Sequence, residues 1–157
     1  MKKLFLLSVL CFAALSLSAQ QFVDLGLPSG TKWKDVNEVN EFSNASPHFL
    51  SNETRDHIRR VGGDMPSRDQ WDELMKKCKW IWVDGVGYKV VGPNGNYIML
   101  PAAGYRYCHG DAIYEGTFGC YWLNGHRFAK YFYIDSEVKR ICYDERQGGL
   151  SLRLVQD

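Results

Sequence analysis

The chain has 157 residues, 45% of them hydrophobic, and 19 Lys and Arg face 18 Asp and Glu. Such balance, with no basic stripe, argues against a nucleic-acid binder. The only long apolar run is about a dozen residues at the N-terminus, too short to cross a hydrocarbon core of ~30 Å as a helix.

Met1-Lys2-Lys3 is a basic start, residues 4–15 are apolar, and Ser16-Leu17-Ser18-Ala19 supplies small residues before Gln20. Basic, apolar and small in that order is a secretory signal peptide. Residues 1–19 are therefore expected to be removed, with cleavage between Ala19 and Gln20 and export to the periplasm, the outer surface or the medium. Cys11 lies too early in the run for a lipid anchor. Residues 20–157 then form one domain, large enough to bury its own core. Losing Lys2 and Lys3 leaves 17 bases against 18 acids. Export exposes Cys78, Cys108, Cys120 and Cys142 to oxidising conditions, so all four are candidates for disulfides. Three complete pairings exist and the spacing does not choose among them.

In chain order, residues 22–27 alternate loosely, Pro28-Ser29-Gly30 turns, and residues 31–36 form a strand around Trp33. Asn37 to Pro47 is a loop. Ser51 or Asn52 caps a helix to about Val61, ended by Gly62-Gly63. Ser67 and Gln70 form a capping box for a second helix. There Trp71, Leu74, Met75 and Cys78 make one apolar stripe, with acids at the start and lysines at the end. From Lys79 the period becomes that of strands. A hairpin runs through Trp80–Val83 and Tyr88–Val91, Gly92-Pro93-Asn94-Gly95-Asn96 turns, and residues 97–100 return. Gly104 to Gly119 is expected to form long loops. Residues 120–123, 129–134, 138–143 and 150–155 are strand candidates. The last alternates Leu150, Leu152 and Leu154 with Ser151 and Arg153, as a half-buried strand does. Two helices followed by five to seven short antiparallel strands make an α+β fold.

Several segments together carry a resemblance. They are residues 23–33 (VDLGLPSGTKW), Met65-Pro66-Ser67 through Trp71, Leu100-Pro101-Ala102-Ala103-Gly104-Tyr105-Arg106, Tyr121-Trp122 and Ser151-Leu152-Arg153. In this order they resemble the Fibrobacter-type major paralogous domain of exported Bacteroidetes proteins. That family is similar to the formylglycine-generating-enzyme branch of the C-type-lectin-like fold. The resemblance implies two helices, a small twisted antiparallel sheet, adjoining termini and ligand-presenting loops. It also implies a structural Arg153 that pairs with an internal acid. Relatives carry a cysteine three residues after the opening Trp, where this chain has Val36, which leaves Cys78 without its usual partner. The chain is also short between Val36 and Met65.

Three chemistries are weighed on these residues. A thiol nucleophile in the manner of the formylglycine generators would have to be Cys142, beside Arg140 and Tyr143; a buried or bridged strand cysteine is preferred, and no catalytic residue is assigned. Cys108, His109, Asp111, Glu115, Cys120 and His126 lie close in sequence, but lack the tight ligand spacing of zinc sites and the oxygen density of calcium sites. No metal or other cofactor is expected. Aromatic residues Tyr105, Tyr107, Tyr114, Phe118, Tyr121 and Trp122 cluster instead; Tyr121 and Trp122 belong to the core. Tyr105, Tyr107 and Tyr114, with Arg106, His109 and Asp111 as polar contacts, are the candidate ligand-binding residues. The expected function is a non-catalytic binding module for a glycan or a surface protein, without nucleic acid or a membrane span. The alternatives are a thiol-dependent enzyme and a structural subunit of a surface assembly.

Overall fold

The computed structural model describes residues 21–41, 46–107, 110–125, 130–143 and 148–157. The signal-peptide segment, Cys108, His109 and His126 lie outside the described residues. In chain order the elements are β1 (Phe22–Asp24), β2 (Lys32–Lys34), β3 (His48–Phe49), α1 (Ser51–Val61), α2 (Arg68–Lys77), β4 (Lys79–Val83), β5 (Gly87–Val91), β6 (Tyr97–Pro101), β7 (Tyr105–Tyr107), β8 (Ala112–Ile113), β9 (Phe118–Trp122), β10 (Lys130–Asp135), β11 (Lys139–Tyr143), β12 (Gly148–Ser151) and β13 (Val155–Gln156). The fold is mixed, with two helices and mostly antiparallel sheets. No helix among the described residues is long and apolar enough to cross a membrane.

Three sheets share the interior. β1-β2-β13 joins the two ends of the described chain, through Val23↔Trp33 and Val155↔Trp33. β4-β5-β6 is a meander. The largest sheet runs β11-β10-β9-β12-β7-β8, with β3 added beside β12 and a parallel contact between β12 and β9.

α2 forms where the capping box predicts. Ser67 Oγ accepts from the Gln70 amide at 3.2 Å, and Gln70 Oε1 accepts from the Ser67 amide at 2.8 Å, which satisfies two otherwise orphaned N–H groups. Its apolar stripe buries Trp71 and Leu74 completely. The Trp71 ring stacks on Phe132 at 4.2 Å and meets Trp33 edge-on at 4.7 Å, so one side chain ties helix, main sheet and terminal sheet together. α1 starts one residue earlier than its Ser and Asn suggest. Leu50 is the N-cap residue and its amide donates to Glu53 Oε2 at 2.7 Å, the half of a capping box that needs no polar cap side chain.

The structure corrects three expectations of secondary structure and pairing. Residues 104–119 are not all loop, because β7 and β8 form a short hairpin, Tyr105↔Ile113 and Arg106↔Ala112, on the margin of the main sheet. Residues 150–155 are not one half-buried strand. Ser151 and Arg153 are as buried as the leucines between them, because the segment passes between two apolar clusters and changes sheets from β12 to β13. Arg153 forms no ion pair among the described residues. Its guanidinium donates to Asn37 Oδ1 at 2.9 Å and to the carbonyls of Lys34 at 2.6 Å and Met99 at 2.5 Å. Burial pulls its pKa down to about 10, so it remains charged at neutral pH. The register role expected of Arg153 is thus filled with neutral acceptors from two sheets.

Candidate functional site

β9, β10 and β11 are adjacent, and their register sets which side chains share a face. Tyr133 on β10 lies opposite Cys120 on β9 and Arg140 on β11, while Phe118 pairs with Asp135. Phe118 is therefore the diagonal neighbour of Tyr133, a separation that aromatic rings bridge. Their centroids are 5.4 Å apart, with planes inclined by 31°. Tyr133 donates its hydroxyl to Asp135 Oδ2 at 2.8 Å. Partial burial and that bond push the phenol up to about 12, so it stays protonated. The Arg140 guanidinium lies over the far side of the strip, 5.6 Å from the Tyr133 centroid.

The β7–β8 hairpin extends this row. The Gly104 amide donates to the Phe118 carbonyl at 2.7 Å, and a Cβ at Gly104 would collide with the Ile113 carbonyl. Only glycine, here at φ 64°, permits that approach. It brings the Tyr105 ring to 6.1 Å from Phe118 with planes 24° apart. After β8 the chain turns, the Thr117 amide donating to the Tyr114 carbonyl at 3.1 Å. Tyr114 sits at φ 63°, the one non-glycine residue with positive φ among those described. A bulky L-residue there costs on the order of 1–3 kcal/mol. The turn lays the Tyr114 ring 5.3 Å from Phe118 and 6.2 Å from Tyr105. Tyr114 remains 58% exposed, and Tyr107, on the Tyr105 side of β7 by alternation, is 68% exposed.

The structure thus brings Tyr105 and Tyr114 together, with Tyr107 nearby on the same short strand. Asp111 is exposed in the hairpin loop, and His109 lies outside the described residues. Arg106 is a correction. Alternation along β7 turns it away from the tyrosines and beneath α1, where it is 5% exposed and its Nη2 meets Glu53 Oε2 at 3.1 Å. The same carboxylate oxygen accepts from Asn40 Nδ2 and the Leu50 amide. Arg106 fastens the back of the hairpin to α1 and is not a surface contact. Phe118 completes the row. Tyr133 and Arg140, which the sequence reading did not select as binding residues, extend it. Their signal was the alternation of Tyr131, Tyr133 and Asp135, but alternation does not say which face stays uncovered.

Cys78 and Cys142 are free, and no disulfide joins two described residues; Cys108, the fourth candidate, lies outside them. Cys142 cannot reach Cys120. The two sit on strands separated by β10 and are offset along it, opposite Tyr131 and Tyr133 respectively. Two strand spacings of ~4.8 Å exceed the ~7 Å Cα limit for a bridge. Burial and then the Glu73 carboxylate push the Cys78 thiol up to about 11, the opposite of nucleophile activation. Among the described residues no group of three His, Cys, Asp or Glu is placed to hold a metal ion.

A second polar cluster is internal. Lys34 and His57 both contact the Glu38 carboxylate, His57 Nε2 at 2.7 Å from Oε2, and all three residues are buried. Arg60 Nη2 lies 3.2 Å from His57 Nδ1. Arg only donates, so this contact assigns the His57 proton to Nε2, facing Glu38. This cluster joins α1 to β2 and the following loop.

Comparison with known proteins finds no match to this chain among family models, curated proteins or solved structures.

Proposed function

We propose that this protein is an exported, non-catalytic saccharide-binding module of C-type-lectin-like architecture, related to the Fibrobacter-type major paralogous domain. The paired chain ends, the two helices and the irregular multi-sheet β region support the architectural part of this reading. The single observation that carries the functional part is Tyr114, an exposed aromatic residue in a costly backbone conformation whose ring packs against both Tyr105 and Phe118, with Tyr133 beyond Phe118. Ring faces edged by hydroxyl groups suit the apolar faces of sugars, because stacking needs flat area and the polar rim satisfies sugar hydroxyls. The thiol-enzyme alternative, placed on Cys142, is less favoured because no second cysteine lies near Cys142 among the described residues.

The test is a glycan array followed by titration calorimetry with the parent and Tyr114→Gly. The expected result is saccharide binding by the parent that falls at least tenfold in the variant. Thermal stability should stay within about 1 kcal/mol of the parent, since glycine relieves the strained φ while losing ring contacts. A silent array, with capture of a protein from the cell surface, would move the assignment to a protein ligand.

A further inference from the structure

We propose that the ring row reads an acidic saccharide, an oligo-uronate, with Arg140 as the residue that recognises the sugar carboxylate. This inference rests on the saccharide-binding reading above and names its ligand class.

Arg140 is exposed and stands directly across the sheet from Tyr133, with its guanidinium over that ring. It therefore continues the row formed by Tyr114, Phe118 and Tyr133. Among the described residues it makes no ion pair. The neighbouring acid, Asp135, is already engaged at both oxygens: Oδ2 accepts from Tyr133, and Oδ1 accepts from the amides of Glu137 at 2.8 Å and Val138 at 2.7 Å. Partial burial opposes ionisation of Asp135, but the Val138 and Glu137 amides, the Tyr133 hydroxyl and the Arg140 charge together hold the carboxyl below its usual value. Its two oxygens are thus held by the β10–β11 turn and Tyr133, and its charge reaches Arg140 without a direct ion pair. Arg140 feels the Asp135 charge but forms no ion pair among the described residues, so its exposed planar fork stands beside the aromatic rings, where it can take a carboxylate in two parallel hydrogen bonds. The cluster of Tyr105, Tyr114 and Phe118, with Tyr133 beyond Phe118, offers stacking area next to the guanidinium, and in an oligo-uronate each unit carries a carboxylate.

The experiment titrates the full exported chain with oligogalacturonate, oligomannuronate and oligoglucuronate, and with the same oligomers after carboxyl reduction to neutral sugars. The parent and Arg140→Gln are compared, with circular dichroism confirming the fold. At least one acidic oligomer should bind about ten- to a hundredfold more tightly than its reduced form, as a charge-assisted contact allows. Arg140→Gln should bring it down to the level of the reduced oligomer, and Arg140→Lys should fall between. Raising the salt should weaken only the acidic series. Equal affinity for acidic and reduced oligomers, or an acid preference that survives Arg140→Gln, overturns the assignment of Arg140 while saccharide binding stands. Binding to neither series also overturns it, and the glycan array then decides separately whether any saccharide is bound.

Discussion

His48 is fully buried on β3, with Ser46 Oγ 3.2 Å from its Nδ1. Desolvation lowers its pKa below 6.5, and the Arg106 charge adds to this; the backbone of Ala103 and Gly104 and the more distant Glu115 oppose it. The sign follows from linkage. A folded pKa below the unfolded value means that the native state binds fewer protons, so the contribution is complete above pH 6.5 and is lost as pH falls below it. Urea midpoints should therefore drop between pH 7 and pH 5 more steeply in the parent than in His48→Gln. An equal slope in both would remove His48 as the cause. At the same scale, Cys78 should resist iodoacetamide at pH 7.5 in the native protein and become labelled once urea unfolds it. Rapid native labelling would contradict its raised pKa.

At the level of elements, α2 is specified locally and anchored globally. Ser67→Ala removes the Oγ acceptor but leaves the stripe, and should cost about 1 kcal/mol in chemical denaturation. Trp71→Ala opens a cavity where three elements meet and should cost about 3–5 kcal/mol. A Trp71 variant no worse than the cap variant would mean that the helix is not held by that contact. The β7–β8 hairpin is the opposite case. It is two residue pairs long and depends on Gly104 being able to approach β8, on Arg106 meeting Glu53 behind it and on the ring contacts in front. Its residues looked like loop because such short strands leave no periodic signal; their pairing comes from non-local contacts.

For the molecule as a whole, Arg153 connects the terminal sheet to β6 through backbone carbonyls that have no side-chain code. Arg153→Met should cost about 3–5 kcal/mol, since it strands buried carbonyls in two places, and should lower the denaturation midpoint without altering the surface ring row. A near-neutral Arg153→Met would show that ordinary apolar packing suffices at that position. The same architecture separates the two faces of β7, so that Tyr105 and Tyr107 serve the ring row while Arg106 serves the interior.

By itself the sequence determined what depends on neighbours a few residues apart. Those features are the two helices with the Ser67–Gln70 box, the β4–β5–β6 meander and its turns, the burial of Tyr121 and Trp122, and the α+β class. Tertiary structure decided everything that needs to know which strand lies beside which. It set the break between β12 and β13, the neutral partners of Arg153, the separation of Cys142 from Cys120, and the alignment of Tyr114, Phe118, Tyr133 and Arg140 into one strip. The physical reason is that a period of two names the two faces of a strand, whereas strand order and register determine which face is covered and what stands opposite.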